Sequence, residues 1–69
     1  MTEAQYDNLK VGDIVRHVDL PDKTWIIVCA SSLGGWELVC QHSMLQHTRM
    51  ETPSNWELHS TIIERRRWY

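Results

Sequence analysis

Short apolar runs separated by turn residues dominate the chain and predict β-strands. Residues 14–18 are rich in β-branched side chains, and residues 25–30 are apolar on both faces, which is typical of a central strand. Residues 36–40 resume the strand pattern directly after Gly34-Gly35, a dipeptide typical of a two-residue turn. We therefore predict a hairpin that joins the strands 25–30 and 36–40.

The length of the predicted turn sets the register of this hairpin and the side that faces the core. If the two glycines form the turn, Cys40 pairs with Cys29, whereas a longer turn would shift the pairing. The predicted core side of the hairpin then carries Trp25, Ile27, Cys29, Leu38 and Cys40. The predicted core of the whole domain comprises Val11, Val15, Ile27, Cys29, Leu38, Cys40, Leu58 and Ile62.

The two ends of the chain predict local helical turns as well as strands. Thr2 and Gln5 have the spacing of a capping box, so we expect a short helical turn over residues 3–8. The second half of the chain is expected to contain, in order, a strand at 47–51, a turn at 52–55, a strand at 56–59, a helical turn at 60–63 and a closing strand at 63–67. The result is an all-β domain of about five strands, a count typical of small barrels or of two orthogonal sheets.

One segment resembles a known family. Residues 10–16, with the sequence Lys-Val-Gly-Asp-Ile-Val-Arg, resemble the opening strand of bacterial and phage SH3-like barrels, including KOW-like and Tudor-like modules. Residues 59–64 resemble the short turn that precedes the last strand of such barrels. The resemblance implies a single five-stranded domain, with a helical segment at 1–9, the SH3-like barrel at 10–67 and a tail at 68–69.

Composition and charge narrow the class of protein. The chain has 69 residues, of which 42% are hydrophobic and 23% charged, a profile that excludes a collagen-like or disordered chain. Its formal net charge of −2 is less basic than that of a dedicated duplex-DNA binder. No apolar run is long enough for a transmembrane helix, and the first residues lack the pattern of a signal peptide. We expect a cytoplasmic protein that does not bind membranes.

The spacing of the cysteines and histidines gives little support for a metal site or for redox chemistry. The candidate ligands are Cys29, Cys40, His17, His42, His47 and His59, and they form neither a Cys-x-x-Cys pair nor a closely spaced histidine pair. We interpret them as free, buried thiols and scattered imidazoles, and we expect no metal and no cofactor.

Catalysis is disfavoured on two grounds. Cys40 or Ser43 can be drawn with His42 as a nucleophile and base, but a barrel of this size lacks a cleft that surrounds a substrate. The plasmid-borne type II dihydrofolate reductases share the SH3-like layout, yet the Val-Gln-Ile-Tyr stretch of their pore does not occur here. We predict that the protein is not an enzyme.

Surplus aromatic and aliphatic residues favour a binding role. The chain has four tryptophans, of which we expect two or three in the core, and apolar residues at Leu20, Leu33, Met44, Leu45 and Met50 in segments expected to be loops. Such residue types are enriched in protein interfaces. We predict a non-enzymatic module that binds a protein partner, with a homodimer as one alternative. The resemblance implies a phage or mobile-element protein that binds a host factor.

The basic and aromatic C-terminus suggests a second type of partner. Single-strand binding uses cations beside stacking rings, so RNA or single-stranded nucleic acid is the alternative. The predicted partner-binding residues are Arg65, Arg66, Arg67, Trp68, Tyr69, Trp56 and Trp36. If the segment is extended, Arg66 and Trp68 share one face. In a purely structural interpretation, the acids Glu3 and Asp7 neutralise one of the arginines.

Overall fold

The computed structural model describes residues 1–66, apart from the side chain of Met44, and the described residues form one five-stranded antiparallel sheet with two short helices. The elements in chain order are α1 (Glu3–Asp7), β1 (Ile14–His17), β2 (Trp25–Ala30), β3 (Trp36–Cys40), β4 (Ser43–Met50), β5 (Trp56–Ser60) and α2 (Ile62–Arg66). The strands lie in the order β4-β3-β2-β1-β5. The predicted all-β class is confirmed, and the closure of the sheet into an SH3-like barrel stays a prediction.

The N-terminal helix α1 begins with the predicted capping box. The Gln5 amide donates to the Thr2 hydroxyl over 3.1 Å, and the Thr2 amide donates to the Gln5 side chain over 3.0 Å. Leu9, which follows the helix, is buried in the core. The helix therefore closes one side of the core, and the Met1 amino group adds a hydrogen bond to the Trp56 carbonyl.

The hairpin of β2 and β3 forms, but its predicted register is wrong. Ala30 pairs with Trp36 and Trp25 pairs with Cys40, because residues 31–35 form a five-residue connection and the register shifts between Ile27 and Cys29. A bulge of this kind adds one residue to one strand and redirects its side chains. Cys29 therefore pairs with Glu37 and is exposed, which contradicts its predicted place in the core.

The core lies on one face of the sheet and includes half of the predicted residues. Its buried cluster consists of Leu9, Val15, Trp25, Ile27, Leu38, Cys40, Met50 and Trp56. Leu58 packs against this cluster while partly exposed, and Ile62 is half-buried beside Gly12. The prediction was wrong for Val11, which is 53% exposed because it precedes β1 in a turn.

The second half of the chain differs from the prediction in two elements. Strand β4 spans eight residues and begins earlier than predicted. The predicted closing strand at 63–67 is wrong, because residues 62–66 form the helix α2. A second capping box explains the helix: the Glu64 amide donates to the Thr61 hydroxyl, and the Thr61 amide donates to the Glu64 carboxylate.

Candidate binding surfaces

The two described tryptophans among the predicted contact residues are packed into the protein. Trp56 is 8% exposed and lies edge to face with Trp25, the ring centroids being 6.4 Å apart. Its other neighbour is the ring of His17, at 4.9 Å. Trp36 is half-buried against the core cluster. Both side chains therefore stabilise the fold and offer little surface to a partner.

The arginines of α2 have different surroundings. The Arg65 guanidinium donates to the Gly12 carbonyl and to both the carbonyl and the hydroxyl of Ser60, the last over 2.7 Å. Its partners are thus uncharged groups, where the structural interpretation expected Glu3 or Asp7. Arg66 is exposed on the same helix. Because residues 62–66 are helical, the extended conformation on which the predicted shared face of Arg66 and Trp68 depended is wrong at Arg66. Arg67, Trp68 and Tyr69 lie outside the described residues.

A buried carboxylate attaches α2 to the turn before β1. Asp13 is 2% exposed; its Oδ1 accepts from the Ile62 amide over 2.9 Å, and its Oδ2 accepts from the Lys10 amide over 3.0 Å. We call Asp13, Arg65 and Gly12 the latch. Sequence reasoning missed the latch, because Ile62 lies 49 positions from Asp13 in the chain and Arg65 lies 53 positions from Gly12.

One candidate surface surrounds the latch, and we call it the helix face. It consists of Lys10, Val11, Val28, Ile63 and Arg66, all of which are exposed. The Gly12 amide donates to the Ile27 carbonyl over 2.8 Å, which joins the turn before β1 to β2. A groove of about 420 Å³ lies between the turn and α2, and it is lined mainly by polar side chains: Asn8, Lys10, Asp13, Thr61, Ile63 and Glu64.

A second candidate surface lies at the end of the sheet where β1 ends and β4 begins, and we call it the loop face. It consists of Val18, Asp19, Leu20, Asp22 and Leu45, all of which are exposed. Leu45 is 91% exposed, within the part of β4 where the register with β3 shifts. The predicted apolar loop residues Leu20 and Leu45 thus come to the same end of the sheet, whereas Met50 is buried in the core.

The tip of the β2–β3 hairpin presents a third exposed leucine. Leu33 is 78% exposed, and Arg49 of β4 donates to its carbonyl and to that of Gly34. Gly35 has a positive φ, and a Cβ there would collide with the Met50 carbonyl, so the close approach requires glycine. The tip is therefore fixed against β4, and it lies at the end of the sheet where β1 begins.

An ion pair lies on the outer side of the sheet, between the two ends. Arg16 of β1 donates to Glu57 of β5 over 2.7 Å, and these residues are partners in the strand register. The hydrogen bond and the charge of Arg16 lower the pKa of Glu57 below its ordinary value. Within residues 1–66, no three His, Cys, Asp or Glu side chains are placed to hold a metal ion.

Comparison with known proteins adds no relatives to this description. No family model, curated protein or solved structure matches the chain. The SH3-like resemblance and the mobile-element origin that it implies therefore stay predictions. Neither helix of the described residues has the length and apolar character needed to cross a membrane.

Proposed function

We propose that the protein is a non-enzymatic module that binds a partner protein through its loop face. The observation that carries this proposal is the exposure of Leu45, an aliphatic side chain left 91% in solvent at the end of the sheet. Leu20 and Val18 are also exposed at this end of the sheet. Apolar side chains that fill pockets of a partner supply much of the energy of protein interfaces.

The loop face is held in place by hydrogen bonds between its two loops. The Gln41 amide donates to the Thr24 carbonyl over 2.9 Å, and the Thr24 hydroxyl donates to the Gln41 side chain over 2.6 Å. The Lys23 ammonium donates to the side chain of Gln46 over 3.2 Å. Because loops that are already ordered lose less conformational entropy on binding, this arrangement supports a docking role.

The charges of the loop face favour a protein partner over a nucleic acid. Asp19 and Asp22 are exposed and form no ion pair among the described residues, so their carboxylates repel a phosphate backbone. The alternative is nucleic-acid binding by the basic, aromatic C-terminus. It has weaker support, because Arg65 already donates to Gly12 and Ser60.

Affinity capture with matched variants tests the proposal. The immobilised protein is exposed to nuclease-treated lysate of the cells that produce it and washed at high salt. We expect a protein to be retained by the native chain and by Leu33→Ser, and to be lost from the double variant Leu20→Ser/Leu45→Ser. All three substitutions are at exposed sites, so each should change the free energy of unfolding by less than about 0.5 kcal/mol.

Two results would contradict a protein-binding loop face. Equal retention by the native chain and by the double Leu20/Leu45 variant would exclude this surface. Loss of every partner after nuclease treatment, with retention in untreated lysate, would favour the nucleic-acid alternative, since phosphate contacts weaken steeply with salt.

A further inference from the structure

The turn that begins the loop face is closed by the side chain of His17. The Leu20 amide donates to the His17 carbonyl over 3.1 Å, which makes the turn tight. Within it, the Asp19 amide donates to the ring nitrogen Nδ1 of His17, also over 3.1 Å. Asn or Asp commonly occupies the first position of such turns, because its side chain accepts from the amide two residues further on. His17 takes this role here and thereby holds the exposed residues 18–20 of the loop face.

The position of the His17 ring is set by the strands. The ring lies edge to face with the buried ring of Trp56, at a centroid distance of 4.9 Å. These two residues are partners in the register of β1 and β5, and the next amide, that of Val18, donates to the Asn55 carbonyl over 2.9 Å. Protonation therefore acts on a ring whose place in the fold does not depend on the Asp19 hydrogen bond.

The hydrogen bond from Asp19 requires the neutral form of His17. A backbone amide can only donate, so Nδ1 accepts from it only while that nitrogen carries no proton. The neutral ring then carries its proton on Nε2, whereas the charged ring carries one on each nitrogen. Protonation replaces the acceptor by an N–H group that faces the Asp19 N–H. Because histidine is the side chain that ordinarily changes charge between about pH 5 and 8, mild acid is sufficient to break the bond.

A second histidine at the loop end lacks this sensitivity. The Nε2 atom of His42 lies 3.5 Å from the Thr24 hydroxyl, whose single proton is donated to the Gln41 side chain. His42 can therefore contact this hydroxyl only as a donor, through an Nε2–H group that the neutral and the charged ring can both carry. Protonation leaves this contact in place, which makes His42 a matched control for His17.

Charges of both signs surround His17. The strands β1 and β5, the N-terminus and the turn after β1 contribute the Met1 ammonium, Arg16, Asp19, Asp22, Lys23 and Glu57. The acids favour the charged ring and the bases oppose it. Neither changes the outcome of protonation, because a protonated Nδ1 accepts no hydrogen bond from the Asp19 amide whatever its surroundings.

We propose that His17 is a pH-sensitive positioning residue of the loop face, whose neutral ring keeps the turn at 18–20 ordered and whose protonation releases it. The consequence for binding rests on the proposed function: an ordered turn loses less conformational entropy when a partner docks, so its release should weaken binding. One hydrogen bond contributes a factor of about two to ten on net. We expect the affinity for the partner to fall by about that factor between pH 7.5 and 5.5.

Nuclear magnetic resonance of the full chain tests the release in the absence of a partner. At neutral pH, the ring nitrogen shifts of His17 should show an unprotonated Nδ1 and a protonated Nε2. As the pH falls, the Asp19 amide proton should move upfield, since it loses its acceptor, with the same midpoint as the His17 ring. In His17→Asn the acceptor does not titrate, so the Asp19 amide should not respond over this range. His42→Asn should keep the native response.

Capture from the nuclease-treated lysate near pH 7.5 and near pH 5.5 tests the consequence for binding. On acidification, the native chain and His42→Asn should lose about two- to tenfold more of the retained protein than His17→Asn does. The comparison with His17→Asn removes any pH dependence that the partner itself contributes. His17→Phe keeps an aromatic ring beside Trp56 without an acceptor, so it should bind weakly at both pH values.

Three results would overturn this role of His17. They are a neutral ring protonated on Nδ1, an Asp19 amide that does not respond while the His17 ring titrates, and equal losses of captured protein from the native chain and from His17→Asn. Failure of the proposed function has a different sign: Leu20→Ser/Leu45→Ser then retains the captured protein. In that case the resonance of the Asp19 amide still decides whether protonation of His17 releases the turn.

Discussion

Both ends of the sheet are held together by hydrogen bonds, but only one end buries them. At the helix end, the Asp13 carboxylate is 2% exposed and accepts from two backbone amides. At the loop end, the Thr24 hydroxyl and the Gln41 side chain form a short hydrogen bond that is exposed to solvent. A buried donor that loses its partner cannot turn to water, whereas an exposed one can. The Asp13 hydrogen bonds should therefore contribute more to the stability of the fold than the hydrogen bond between Thr24 and Gln41.

The largest effect should come from removing the buried carboxylate. Asp13→Ala leaves the Lys10 and Ile62 amides without their acceptor, and each buried unsatisfied donor costs about 1–3 kcal/mol. We expect the free energy of unfolding to fall by about 3 kcal/mol, as measured by chemical denaturation. Asp13→Asn is the control, since its one amide oxygen can still accept, and it should lose less. A change below about 0.5 kcal/mol for Asp13→Ala is the size expected of a surface substitution, and it would contradict a stabilising role of the buried carboxylate.

The Arg65 hydrogen bonds of the latch should contribute less to the free energy of unfolding than those of Asp13. Arg65→Met removes the hydrogen bonds to Gly12 and Ser60, and we expect a loss of about 1–2 kcal/mol in a thermal or chemical melt. Arg66→Met is a matched control on the same helix, because it removes an exposed guanidinium. Its effect should stay within about 0.5 kcal/mol. Equal losses from the two variants would mean that net charge, and not the latch, stabilises α2.

The loop end should tolerate the loss of its own hydrogen bond. Thr24→Val keeps the shape of the side chain and removes the donor to Gln41. Because water replaces the lost partner at this exposed site, we expect the free energy of unfolding to fall by less than about 1 kcal/mol. A loss as large as that of Asp13→Ala would remove the contrast between the two ends.

The smallest effect should come from the ion pair between the ends. Arg16 lowers the pKa of Glu57 from its ordinary value of 4.5, so the pair stabilises the fold above that pH. As the pH falls through the lowered pKa, Glu57 becomes protonated and the stabilisation is lost. The melting temperature of the native chain should exceed that of Glu57→Gln slightly near neutral pH, and the difference should vanish in acid. A difference that grows in acid would contradict this sign.

Local sequence signals predicted most of the elements and part of the surface. β-branched runs predicted β1 and β2, the strand pattern after Gly34-Gly35 predicted β3, and the Thr2-Gln5 spacing predicted α1 with its capping box. The same logic applied to Thr61 and Glu64 would have predicted α2, but the apolar pair Ile62-Ile63 was weighted as part of a turn and a strand. Leu20, Leu33 and Leu45 were identified as exposed apolar candidates from their position in expected loops.

Long-range features could not be predicted from local patterns. The bulge after Ile27 exposes Cys29, although the alternation of the strand places it with the core residues. Side chains along a strand alternate between the two faces of the sheet. One inserted residue therefore moves every following side chain to the opposite face. The predicted contact residue Trp56 is also a core residue. Its packing against Trp25 and His17 depends on contacts between strands, which local patterns do not show.

The sequence alone determined the all-β class and the capped N-terminal helix, because propensity, alternation and capping depend on residues a few positions apart. Only the tertiary structure decided which charged side chains are buried and which distant residues meet. Asp13 and Ile62 are 49 positions apart in the chain, and Arg65 and Gly12 are 53 apart. Contacts of this kind depend on how the whole chain packs, because the free energy of a polar group depends on whether it is buried and hydrogen-bonded.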